Sequence, residues 1–262
     1  MKIFDSHCHL DDKGYDQDLD QVVVRARQAD VVAVMAVGMD GPTSRKAVAI
    51  AGRYDGIYAS VGLHPHDAKR GDERTLAELQ SLAADPKVKA WGETGLDFNR
   101  MYSPRQDQER WFDRQLGIGA SLNLPMIFHE RDGQGRFLHI LTTHWGQGRK
   151  GVVHCFSGTD AELDTYLAMG LYIGITGILT HQARGQILRH MARRIPLERL
   201  VVETDAPYLT PAPERSKVRR NEPALVRTVL FKLADIRQMD PEEMAAITWA
   251  NTCRLFGVPE TG

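Results

Sequence analysis

Short runs of apolar and β-branched residues return about eight times along this chain. They lie near positions 2–5, 31–37 (VVAVMAV), 57–62, 88–92, 125–129 (PMIFH), 151–154, 171–174 and 200–204 (LVVET). Runs of this length, bounded by turn residues, predict buried strands. Helical patterns fill the intervals. Three of their starts place an oxygen cap three residues before a Glu or Gln: Ser103 with Pro104 and Gln106, Thr159 with Glu162, and Asp240 with Pro241 and Glu243. The last helix is expected to stop near Gly257. Eight strand–helix units with no composition break, Ser/Gly linker or low-complexity tract predict an α/β protein folded as a single (β/α)8 TIM barrel over residues 1–262. An open doubly wound sheet is the competing arrangement. Neither GxGxxG nor GxxxxGK[ST] follows any strand, so nothing favours its nucleotide-binding form.

Composition narrows the partners more than the fold. The 262 residues are 42% hydrophobic and 26% charged, with a formal net charge of −1, which suits a globular protein with a large core. No stretch approaches the roughly 18 consecutive apolar residues of a membrane span, and MKIFDSHCHL lacks the apolar region of a secretory signal, so a cytoplasmic location is expected. Cys8, Cys155 and Cys253 are odd in number and form no CxxC. That argues against a disulfide framework and a cysteine zinc site, and leaves His, Asp and Glu as metal ligands. The near-neutral charge disfavours tracking along nucleic acid by bulk attraction, while local phosphate binding stays open.

A barrel places its chemistry at the C-terminal ends of its strands. Those ends carry His7 and His9 after the first strand, His64 after the third, Glu93 after the fourth, His129 after the fifth, His154 after the sixth and Asp205 after the eighth. Nearly all are metal-ligand types. Ten histidines scattered at random would give about 0.4 HxH pairs, so one pair decides little. Strand geometry adds that side chains at i and i+2 share a face, letting His7 and His9 reach one ion. Taken singly, the pair also reads as core histidines, Glu93 as a turn acid and Asp205 as a turn or helix cap. Their joint placement favours a metal centre.

The stretches FDSHCHL, VGLHPH, GETGLDF, HERD, HCFSG and ETDAPYL, followed by RRNEP, run in this order from residue 3 to about residue 224. Together they resemble the TatD family of metal-dependent deoxyribonucleases, among the amidohydrolase-like barrels. The resemblance implies a two-metal centre, with His7 and His9 on one ion, His129 and His154 on the other, and Glu93 bridging. It implies that Asp205 ligates the first ion and contacts the attacking water. The implied cofactors are two divalent ions, Mg2+, Mn2+ or Zn2+, and the implied substrate is DNA, as single strands or strand ends, attacked from the 3′ end. The residues agree chemically: a mixed N/O set suits such ions, and a metal pair can hold both the attacking and leaving oxygens of a phosphoryl displacement. Asp205 is placed to accept a proton from water. GxSxG is absent, and Cys155 should point away from the site if His154 points in, so no covalent nucleophile is required.

The resemblance also puts His64 on substrate phosphate, and so among the catalytic residues with Glu93 and Asp205; a turn histidine is the alternative. His66, Arg131 and Arg220 are the further candidate substrate contacts. Arg131 shares a face with His129 if the strand continues, where its planar fork can hold a phosphate oxygen; a salt bridge to Glu130 or Asp132 is the alternative. Arg219 and Arg220 lie in the loop after the last strand, which reads either as a phosphate contact or as an ordinary solvated connection. Asp97 either orients a ligand from behind or closes a turn. The basic run 189–194 reads as a solvated helix face, and His139, His144, His181 and His190 receive no role. Glu93 stands where a carbamylated lysine would serve an amidohydrolase, which disfavours amide and phosphotriester substrates. A hydrolase of a small ester or amide, and a non-catalytic binding protein stabilised by its metal, are the other readings. No aromatic-basic stripe is evident.

Overall fold

The computed structural model describes residues 1–260. Every expected strand forms: β1 (Ile3–Cys8), β2 (Val31–Val37), β3 (Ile57–Val61), β4 (Val88–Asp97), β5 (Met126–Arg131), β6 (Gly151–Val153), β7 (Tyr172–Ile175) and β8 (Leu200–Val202). They pair in parallel in chain order. The helices are α1 (Leu19–Gln28), α2 (Gly41–Arg53), α3 (Glu73–Leu82), α4 (Arg105–Ser121), α5 (Arg136–His144), α6 (Asp160–Ala168), α7 (Gln186–Ala192), the short α8 (Ala212–Arg215), α9 (Val226–Arg237) and α10 (Pro241–Phe256). This is the (β/α)8 barrel. Among the described residues no helix is long and apolar enough to cross a membrane.

Two of the three expected caps form. Thr159 and Glu162 make a reciprocal capping box on α6, and Asp240 accepts from the backbone of Glu242 and Glu243 on α10, which ends at left-handed Gly257 (φ 63°). Ser103 does not cap α4. Its hydroxyl donates to the His66 carbonyl (2.7 Å) and accepts from Lys69 N–H (3.0 Å), tying the loop after β4 to the turn after β3.

The strands bring side chains inward in an apolar lower layer and a polar mouth. Phe4, Ala90, Ile127, Val152 and Val201 form one buried cluster with Leu255 and Phe256 of α10, which closes the barrel foot. From this layer the next site residue lies two positions on in β5 (Ile127 to His129) and β6 (Val152 to His154), as a period of two requires. In β1 and β4 it lies three on, Phe4 to His7 and Ala90 to Glu93, and an unbroken pleat would turn both outward. Register shifts between Asp5 and Cys8 and between Trp91 and Thr94 absorb the extra residue. Gly92 makes the second shift possible. Its φ is 143°, and a β-carbon there would sit 2.4 Å from the Ile127 carbonyl oxygen.

The barrel closes through its own site residues. Asp205 N–H donates to the His7 carbonyl (2.9 Å) and His9 N–H to the Ala206 carbonyl (2.8 Å). Just below, fully buried Asp5 accepts from Thr204 N–H (2.8 Å) and its hydroxyl (2.6 Å). Burial, aided by the Glu203 charge, lifts the Asp5 carboxyl to about 8 against those hydrogen bonds. A carboxyl whose pKa rises on folding stabilises the native state fully below its unfolded value, and this contribution is lost as pH climbs toward 8. Asp5→Asn removes the titration and can keep both Thr204 contacts. In urea unfolding of metal-free protein, the stability of wild type minus variant is expected to fall between about pH 5 and pH 8, by up to about 1.4 kcal/mol per unit. Parallel profiles would contradict this.

Candidate metal centre

Glu93, 1% exposed, stands at the middle of the mouth. Its Oε2 lies 3.3 Å from His7 Nε2 and 3.7 Å from His9 Nε2. Its Oε1 lies 2.7 Å from His129 Nδ1, 2.9 Å from His154 Nε2 and 3.3 Å from His64 Nε2. Asp205 completes the Oε2 side, with Oδ1 3.4 Å from His9 Nε2 and 3.8 Å from His7 Nε2. Six residues expected from strand ends as metal ligands thus gather in two groups that share one carboxylate. Asp205 takes a left-handed backbone (φ 54°), in a turn closed by Tyr208 N–H on its carbonyl (2.9 Å).

Hydrogen bonds on the far side of the His9 and His129 rings decide which of their nitrogens faces inward as a lone pair, whereas Nδ1 of His7 and of His154 is buried without a hydrogen-bond partner among the described residues. His9 Nδ1 lies 3.2 Å from the Val37 carbonyl. A carbonyl only accepts, so the His9 proton is on Nδ1 and Nε2 presents a lone pair to Glu93 and Asp205. His129 Nε2 lies 3.2 Å from Asp97 Oδ2, which by the same reasoning frees Nδ1 toward Glu93. His154 Nδ1 approaches Glu203 Oε1 at 3.3 Å. His7 and His9 bring their Nε2 atoms within 3.3 Å of each other. Lone pairs so close to one another and to carboxylate oxygens repel unless a proton or cation lies among them, so the donor set fits divalent cations.

Protons take that place in the metal-free protein. Burial lowers the His9 pKa, but the Asp205 hydrogen bond and charge outweigh it and raise the ring to about 9. Burial likewise opposes charge on His154, yet Glu93 and Glu203 hold its pKa well above the usual value. For Glu93 burial pushes upward, and the facing His154, His64 and His7 rings carry it well below the ordinary carboxylate range. Cation binding must displace these protons.

His64 is built differently. Its Nδ1 accepts from His66 N–H (3.0 Å), so its proton sits on Nε2, the atom facing Glu93 and His129 Nδ1 (3.2 Å). Burial brings its pKa down to about 3. The ring is therefore a neutral donor aimed into the site.

Asp97 and Glu203 stand behind the His129 and His154 rings. Asp97 Oδ2 engages His66 Nε2 (2.7 Å) as well as His129, and Oδ1 accepts from the backbone of Asn99 (3.0 Å) and Arg100 (2.7 Å). Burial opposes its charge, but the His129 and His66 hydrogen bonds keep the carboxyl far below its usual range. Asp97→Asn is expected to weaken Mn2+ binding by about 10- to 100-fold, the usual scale for a partner of a ligating histidine. Calorimetric titration showing unchanged affinity would contradict that role. Glu203, fully buried, accepts from Cys155 N–H (2.5 Å) and the Ser6 hydroxyl (3.1 Å). Sequence reasoning assigned it no role, although it lies two positions beyond Val201 and so shares its face.

The remaining expected residues separate. β5 continues through Arg131, which keeps that residue on the face of His129. Neither expected salt-bridge partner is engaged with it: Glu130 accepts from Gly133 N–H (2.9 Å) and Asp132 from Asn99 (2.7 Å). Arg220 is held by Asp18 (2.5 and 2.6 Å), touches the Gly14 carbonyl, and lies over the Tyr15 ring, 4.4 Å from its centroid. Burial pushes the Cys155 thiol up to about 12, which leaves it inert as a nucleophile. The basic run 189–194 is more than a solvated face. Arg189 binds the carbonyls of Leu179, His181 and Gln182, and Met191 and Ala192 are buried.

A TIM barrel with imidazoles and carboxylates converging at its C-terminal mouth is the architecture of a metal-dependent hydrolase. The chain belongs to the TatD related DNase family, whose model matches residues 4–257. It is 42% identical over 257 residues to the 3′-5′ ssDNA/RNA exonuclease TatD of Cronobacter sakazakii, covering 97% of each chain. It is 38% identical over 256 residues to the uncharacterized metal-dependent hydrolase YabD of Bacillus subtilis, covering 98% of this chain and 99% of that one. Among solved structures, the TatD homolog YJJV of Escherichia coli superposes with a TM-score of 0.90 at 29% identity, over 98% of both chains. A phosphotriesterase homology protein from the same organism, at 14% identity and a TM-score of 0.66, shares the fold.

Proposed function

We propose that this protein is a 3′–5′ exonuclease that shortens single-stranded DNA in the cytoplasm, using two divalent cations held on either side of Glu93. The observation that carries the reading is the division of the site: each Glu93 oxygen faces its own set of imidazoles. The exonuclease named for the Cronobacter relative supports the substrate class. In this reading His7, His9 and Asp205 hold one cation, His129 and His154 the other, and Glu93 both.

When bound, the cations would supply Lewis-acid stabilisation of the scissile phosphate and ease deprotonation of an attacking water. Asp205 accepts that water's proton. In the metal-free protein the His9 hydrogen bond and the surrounding imidazoles overcome burial and keep its carboxyl ionised; in the loaded site a cation would take the place of those protons. The new P–O bond forms as the P–O3′ bond breaks and O3′ takes a proton from solvent, leaving a 3′-hydroxyl on the strand and a 5′-phosphate on the released nucleotide. His64 Nε2–H donates to a phosphate oxygen, where negative charge grows in the transition state. His66 and Arg131 contact phosphate beside it. Arg220, paired with Asp18 in the loop after β8, would meet backbone phosphates farther along the strand.

The reading is tested by incubating metal-stripped protein with 5′-labelled single-stranded DNA and restoring Mg2+, Mn2+ or Zn2+. A ladder shortening from the 3′ end is expected only after metal addition. Absence of digestion with every ion would overturn it, and hydrolysis of nitrophenyl esters alone would favour a small-ester hydrolase.

A further inference from the structure

Two tyrosine rings stand exposed at the mouth. Tyr208, 50% exposed, lies edge-on to His9 with ring centroids 6.0 Å apart; Tyr102, 55% exposed, lies edge-on to His66 at 4.7 Å. One exposed aromatic needs no explanation. Here there are two, and they flank opposite ends of one carboxylate, because His9 faces Glu93 Oε2 while His66 adjoins His64 and His129 on the Oε1 side. Neither hydroxyl has a hydrogen-bond partner among the described residues.

Both rings are carried on tied backbone. Tyr208 N–H is bound to Asp205, and its carbonyl accepts from Asn221 Nδ2 (2.6 Å), which also grips the Thr204 carbonyl (3.0 Å). Tyr102 precedes Ser103, which is fastened to the turn after β3 and, through its carbonyl, to Gln108 Nε2 (2.8 Å). Rings presented this way lose little freedom when a flat ligand stacks on them.

We propose that Tyr102 and Tyr208 are stacking platforms for the two bases that flank the scissile phosphodiester. The proposal rests on the nuclease reading above and adds what selects the substrate. A base must leave its duplex to stack on a protein ring, so the pair favours single strands and frayed ends over paired DNA. Every base offers a π-face, so the grip is tolerant of sequence. A chain with a net charge of −1 gains little affinity from bulk attraction to phosphate, and stacking supplies what charge does not.

The test compares Tyr102→Ala and Tyr208→Ala with the Phe and Leu variants at both positions, on a single-stranded DNA oligonucleotide. Matched oligonucleotides carry an abasic spacer at the last or the penultimate 3′ position. Each Ala and Leu variant is expected to raise KM about 5- to 150-fold, the range of stacking one base, with kcat changed less and Phe restoring wild-type KM. Each Ala variant should match wild type on the oligonucleotide lacking the base it would stack. KM within twofold of wild type for both Ala variants overturns the stacking role and leaves the nuclease reading standing. Equal losses on intact and abasic strands, or failure of Phe to rescue, also overturn it. Wild-type protein that digests no strand would instead refute the nuclease reading itself.

Discussion

Glu93→Gln is expected to reduce strand hydrolysis by about 10²- to 10³-fold, the scale on which removal of a preorganised charge-stabilising group acts, and to lower bound metal below two ions per chain. The two oxygens of Glu93 are not equivalent: one serves His7 and His9, the other His129 and His154. Glutamine keeps the shape but offers one acceptor and one N–H donor group. Whichever imidazole set meets the donor loses its anionic partner, and the other keeps only a neutral carbonyl. Initial rates on labelled single strands, with metal content from native mass spectrometry, check both halves. Activity within tenfold of wild type would show that Glu93 does not bridge.

Asp205→Asn is expected to lower kcat by about 10² to 10⁴, the usual contribution of a positioned general base, with metal on the His129 and His154 side retained. Its pH behaviour follows from opposing shifts. The Asp205 carboxyl titrates below the ordinary carboxylate range, so it stays ionised through mildly acidic solution. The acid-side loss of wild-type activity should come first from the imidazoles: His9, drawn up to about 9 in metal-free protein, binds protons in competition with cations. Raising Mn2+ at about pH 6 should therefore restore wild-type rate and leave the Asn variant low. Equal recovery by both would remove Asp205 from the proton-transfer role.

Much of the fold was legible because inward and outward positions alternate regularly over most strands. Ile127 to His129 and Val152 to His154 obey that alternation, and reading the strand ends found both. Phe4 to His7 and Ala90 to Glu93 do not, and local pattern carries no sign of the register shifts that bring His7 and Glu93 inward. They were found as strand-end residues despite the broken period. Ser103 illustrates the converse: its local signature is a helix cap, but the nearby His66 carbonyl competes for its hydroxyl. Arg220 reads as a loop cation, and its pairing with Asp18 joins positions 202 residues apart. The two tyrosines carry no local signal for a similar reason. Tyr102 and Tyr208 form no stripe along the chain and come to one mouth only when the barrel closes.

Anomalous scattering from crystals grown with Mn2+ tests the bridging of two ions by Glu93 most directly. Two peaks per chain are predicted, one within reach of His7, His9 and Asp205 and the other of His129 and His154, both against Glu93. A single peak, or a second one seated among His64, His66 and His129 instead, would contradict it.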